Sequence, residues 1–165
     1  MRLPIIALLL ASLPVLASGD VLPEPEGEVL LTVSGDIAHP NVGEEALFDR
    51  AMLMALSPLT VCTRTPWHRE PGCFTGPLMR EVLSAAGVRG EHILVEALNE
   101  YRAEIPVEDL RDYDVILALS RNGEPMPIRE FGPLFVLYPF DDHPELHTEA
   151  VRFRSVWHVA EIHAP

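Results

Sequence analysis

From residue 28 onward the chain is a succession of short β-rich stretches cut by turn residues, with two or three helical stretches set between them. That succession defines an α+β fold built on a β-rich core with a few inserted helices. Residues 28–34 (EVLLTVS) alternate and stop at Gly35, which reads as a first strand. Residues 44–56 place Leu47, Ala51, Met54 and Ala55 at helical spacing, with Phe48 and Met52 beside them, and predict a helix with one buried face. Residues 59–65, rich in Thr and Val, read as a strand, and residues 73–75 return beside it. The clearest helix opens at Gly76-Pro77, with Thr75 placed to cap it, Leu78, Val82 and Leu83 as its stripe and Gly87 to end it.

Further on, residues 92–97 and 101–105 read as strands joined by a turn at Asn99 and Glu100, and residues 106–110 as one helical turn. Residues 114–119 are strand-like, and Asn122-Gly123 is a strong tight-turn signal. Gly132-Pro133 leads into the continuous apolar run 134–138, the pattern of a central strand, and residues 151–162 supply the last strand.

The N-terminus carries one early cation, Arg2, then the apolar run 5–16, then Ala17-Ser18-Gly19. These are the three regions of a secretory signal peptide, expected to span residues 1–17 with cleavage after Ala17. The run is short for a bilayer span, which needs about 20 residues. Residues 18–27, rich in Pro and Glu, read as an extended leader, and residues 28–165 as a single domain. The formal charge of −13 repels phosphate-rich nucleic acid and anionic lipid surfaces. The only two cysteines, Cys62 and Cys73, flank a segment whose Pro-Gly turn can fold it back. In an oxidising compartment a disulfide is the first reading, ahead of two free thiols or one functional thiolate.

Four segments carry a family resemblance: TPW at 65–67 with FTGPLMREVL at 74–83, LNEYRAEIPVEDL at 98–110, RNGEPMPIREFGPLFVLYPFDD at 121–142 and RSVWHVAEI at 154–162. In this order and spacing they resemble the molybdopterin-binding domain of the sulfite-oxidase type. The chain is more similar still to a small exported branch that includes the PruR-type periplasmic pterin-binding proteins. The resemblance implies a sulfite-oxidase-like fold and a metal-free reduced pterin of the tetrahydropterin type as ligand. It also implies a partner, the periplasmic sensor domain of an inner-membrane protein: a cyclic di-GMP synthase or phosphodiesterase, or a sensor kinase. Two departures set the chain apart from the family's enzymes. Residues 134–136 lack the Arg that holds the cofactor phosphate there, and the SVKW-like motif appears as Ser155-Val156-Trp157, without its Lys. No molybdenum and no catalysis are therefore expected. The alternatives are a molybdopterin-dependent oxidoreductase with Cys62 as metal ligand, or an exported accessory or carrier protein with no ligand.

Binding a flat pterin takes aromatic walls for its faces and donors and acceptors for its amino-oxo edge. The candidates for the faces are Trp67, Tyr101, Tyr138, Phe140 and Trp157, and for the edge Asn99, Arg129, Asp141 and Ser155. Each has a plainer reading. Tyr138 and Trp157 sit in apparent strands as core, Asn99 suits its turn, Arg129 can pair with Glu130, and Asp141 can cap the turn before Pro144. His143 and His147, four apart, are the best metal pair in the sequence, and the plainer reading is solvated histidines in an acidic loop.

Overall fold

Alternation in β1 (Val29–Gly35) buries Leu31 and Val33 and leaves Thr32 and Ser34 half-exposed, so the first strand covers a core with one face. The structure is a computed structural model that describes residues 21–165; the expected signal peptide, residues 1–17, lies outside the described residues. In chain order β1 is followed by β2 (Ala46–Asp49), α1 (Arg50–Ala55), β3 (Leu59–Thr63), β4 (Gly72–Gly76), α2 (Met79–Ala86), β5 (His92–Ala97) and β6 (Arg102–Pro106). Then come α3 (Val107–Asp112), β7 (Ile116–Ala118), β8 (Ser120–Arg121), β9 (Glu124–Pro125), β10 (Phe135–Leu137), α4 (Glu149–Arg154) and β11 (Val159–Ala164). The result is the mixed, sheet-rich α+β fold that the succession of short strands implies.

Five strands form one sheet in the order β2-β1-β11-β5-β6, with β1 and β11 parallel and the other neighbours antiparallel. A second sheet has the order β3-β4-β8-β9, and β7 pairs with β10 as a two-stranded ribbon. Leu117, Leu134, Val136 and Tyr138 belong to the large cluster under the five-stranded sheet. Ile116, Ala118, Phe135 and Leu137 belong to a smaller one with Val61, Phe74 and Met126. The ribbon is thus covered on both faces, which is why residues 134–138 show no polar alternation. Gly76 ends β4 where a side chain would run into the Leu117 carbonyl. That close passage lets Leu119 N donate to Thr75 O and Leu117 N to Pro77 O before the chain turns into α2.

Three stretches differ from the sequence expectation. Residues 44–56 are not one helix, because Ala46 and Phe48 point inward as strand residues of β2 along β1. The helix begins only after Asp49, whose carboxylate accepts from Met52 N (2.9 Å), Glu26 N (2.9 Å) and Gly27 N (2.8 Å). These backbone donors favour the charged carboxylate and hold the Asp49 pKa below its ordinary value. Thr75 does not cap α2; it lies in β4, with its Oγ1 2.8 Å from that of Thr60. Residues 151–162 are not one strand either. Thr148 Oγ1 accepts from Val151 N (3.3 Å) and starts α4, and β11 begins only at Val159. Within the described part of the leader, Leu22 packs on the core and Asn41 Nδ2 donates to Pro23 O at 2.6 Å, which pins it to the domain.

Candidate functional site

Three segments distant in sequence meet at one cavity of about 240 Å³. The first is the loop between β3 and β4, which contributes Trp67. Thr65 Oγ1 shapes it by accepting from His68 N (3.2 Å) and Trp67 N (3.4 Å), and it shares a 2.7 Å hydrogen bond with His68 Nδ1. Cys62 and Cys73, directly opposite in the strand pairing, close the base of this loop as a disulfide. Trp67 meets the rings of Trp157, Phe135 and Phe140 edge-on at 5.3, 5.7 and 6.3 Å between centroids. His68 packs against Phe131 (4.9 Å) and Phe74 (5.4 Å), and burial, then the nearby Arg121 charge, lowers its pKa. Both effects favour the neutral imidazole.

The second segment is the β5–β6 hairpin tip with Asn99 and Tyr101. Glu100 takes a left-handed φ of 65°, and Asn99 Oδ1 accepts from Tyr101 N at 3.3 Å. The third is the end of α4 and the residues after it: Arg152, Phe153, Ser155, Val156 and Trp157. Tyr101 O–H donates to the Phe153 carbonyl at 2.9 Å and ties these two segments together. Ser155 is buried and its hydroxyl donates to Val151 O (2.9 Å), so it keeps only acceptor capacity for anything else.

Of the nine candidates, Trp67, Asn99, Tyr101, Ser155 and Trp157 line the cavity, and four do not. Tyr138 is fully buried; its hydroxyl donates to Asp109 Oδ2 (2.8 Å), which also accepts from Arg154 (2.9 Å). Burial, then the Asp109 charge, pushes its phenol pKa far up, so Tyr138 is a core anchor and not a wall. Phe140 is also fully buried, behind Trp67, and supports the wall without forming it. Arg129 is exposed and pairs with Glu130 at 3.3 Å. Asp141 braces the first loop, accepting from Arg64 N (3.0 Å) while its own N–H donates to Thr63 Oγ1 (3.0 Å). His143 and His147 do not converge: one lies 3.2 Å from Glu145 Oε1, the other 3.0 Å from the Phe140 carbonyl.

Sequence reasoning missed Arg152, Phe153 and Val156 because it read residues 151–162 as a strand. Thr148 followed by EAVRFR was the available signal, an N-cap before a short helix. Among the described residues no group of three or more His, Cys, Asp or Glu is gathered as a metal would need.

A family model described as oxidoreductase molybdopterin binding domain matches residues 59–140. Among solved structures the chain is similar to the sulfane dehydrogenase SoxCD from Paracoccus pantotrophus, with 19% identity and a TM-score of 0.58. The match covers 81% of this chain and 37% of that one, and at this identity it shows the fold alone. No curated protein matches the chain. Trp67, Asn99 and Tyr101 fall inside the family match, whereas the α4 side of the cavity lies beyond it.

Proposed function

Because an oxidoreductase molybdopterin binding domain model matches residues 59–140 and the fold is that of a sulfane dehydrogenase, yet both sulfurs are closed in one bond, we propose that the chain is of the sulfite-oxidase-type molybdopterin-binding superfamily, binds a metal-free reduced pterin and is not a molybdenum enzyme. A molybdenum cofactor asks for a soft thiolate ligand and for cations around its phosphate. The residues present do not fit it. Cys62 has no free thiol, and residues 134–136 are buried and apolar. A free pterin needs only walls and edge partners.

The observation that carries the reading is the cavity itself, bounded by Trp67, Trp157 and Tyr101, with the Asn99 amide at its edge. Its 240 Å³ is below the roughly 300–1,000 Å³ of pockets for drug-sized ligands and suits one small bicycle. An amide offers donor and acceptor side by side, which matches an amino-oxo edge. In this reading the protein is exported to the periplasm and reports its ligand to the sensor domain of an inner-membrane signalling enzyme. The exposed Phe153 (58%) in the cavity lining supports such a relay, since a partner resting on it would also meet the ligand.

Anaerobic calorimetry with a tetrahydropterin, together with elemental analysis, tests the proposal. We expect one pterin per chain at micromolar affinity or tighter and no stoichiometric molybdenum. Molybdenum near one per chain, or no binding at high micromolar pterin, would overturn it.

A further inference from the structure

Arg152 is the one charged side chain lining the cavity. The chain has no lysine, so its fixed cations are all arginines, and the acidic residues outnumber them, 25 to 12. Several are committed elsewhere: Arg80, Arg102, Arg129 and Arg154 pair with carboxylates within 3.3 Å. Arg121 and Arg50 donate to backbone carbonyls. The Arg152 side chain makes no hydrogen bond and no ion pair among the described residues, although acidic groups abound. The other polar groups of the cavity are partly used up, since the Tyr101 hydroxyl donates to Phe153 O and the Ser155 hydroxyl to Val151 O. Alongside the Asn99 amide N–H and the two indole N–H groups, the guanidinium is the one charged donor of the cavity, set at the exposed end of α4 beside an aromatic wall.

Resting on the pterin reading, we propose that the natural ligand carries a carboxylate on its side chain and that Arg152 receives it. A planar guanidinium pairs with a carboxylate edge to edge through two N–H···O bonds, a geometry that needs no second cation. A phosphate dianion in so acidic a protein would call for more positive charge than one exposed arginine supplies. The low-dielectric aromatic walls strengthen the attraction, and solvent access at the exposed residue limits it.

The test compares three ligands on the exported chain by anaerobic calorimetry: 6-hydroxymethyl-tetrahydropterin, tetrahydropterin-6-carboxylate and the phosphate ester of the first. The carboxylate should bind about tenfold more tightly than the neutral compound at low salt, as a partly screened charge-assisted pair allows. The preference should shrink as salt rises. Arg152→Gln should abolish the preference by weakening the carboxylate ligand about tenfold more than the neutral compound, and Arg152→Lys should retain part of it. Equal affinity for the neutral and carboxylate ligands in both the parent and Arg152→Gln would overturn the inference while leaving pterin binding intact. Tightest binding of the phosphate ester would overturn the assignment of a carboxylate. Failure of all three ligands would remove the inference together with the reading on which it rests.

Discussion

Replacing both cysteines, Cys62→Ala with Cys73→Ala, isolates what the disulfide does for this fold. The bridged residues are 11 apart in sequence. For a closed loop of that length the chain-entropy model gives about 2.8 kcal/mol at 25 °C. The native state should change little, because β3 and β4 are held by five facing pairs from Leu59–Gly76 to Thr63–Gly72 and Cys62 lies on the exposed face. The loss should therefore come from a freer unfolded chain. Urea unfolding of the oxidised parent and the double variant measures it. With a slope of about 2 kcal/mol/M, the midpoint should fall by about 1.4 M. A loss under about 0.5 kcal/mol would refute the chain-entropy reasoning, since the unfolded chain would then already hold this hairpin closed. The same pair decides a chemical question, because titration of the unfolded, unreduced parent should find no reactive thiol.

Two further predictions concern the Trp67 wall. Trp67→Ala should weaken pterin binding by about 1–3 kcal/mol, the range for a stacked aromatic on a planar base, and calorimetry against Trp67→Phe separates lost stacking from lost packing on Phe135 and Phe140. The lowered pKa of the half-buried His68 makes the unfolded chain the better proton binder, so stability should be full above the ordinary value of 6.5 and fall as pH drops below it towards the lowered value. Urea midpoints between about pH 7.5 and 5 should show that slope in the parent and a flatter one in His68→Gln; equal slopes would remove His68 from the account.

Much of the fold was legible because local chemistry and tertiary demand agreed. Gly87 takes a left-handed φ of 69° and ends α2 where the sequence placed the stop. Asn122 and Gly123, both at positive φ, make the tight turn between β8 and β9. The misreadings share one cause. In residues 44–56 and 151–162 a strand and a helix follow each other without an intervening Gly or Pro, and a single period was stretched across both. The polar residues that mark the helix starts, Asp49 and Thr148, are caps whose partners, Met52 and Val151, lie just ahead in the chain. Apolar periodicity does not register them.

The site was legible where a residue's position in the chain decides its exposure, and illegible where only packing does. Trp67 and Asn99 lie in turns between strands, so their side chains had to face a surface or a cleft. Tyr138 and Phe140 stand in or beside a run with no charged residue, and nothing in that run tells which side of the ribbon each faces. The choice is made by Asp109, 29 residues away, which draws the Tyr138 hydroxyl inward. Arg129 and Arg152 are alike in sequence, each a cation in a mixed polar stretch, and only the arrangement of α4 against the β5–β6 tip gives the second a cavity to line. That arrangement needs no ligand. The Tyr101–Phe153 bond fixes one wall, the disulfide and the Thr65 turn fix the other, and Phe140 backs the indole between them. Walls held by restraints of their own are in place before a ligand arrives, so binding avoids much of the ordering cost that a loop-built site otherwise carries.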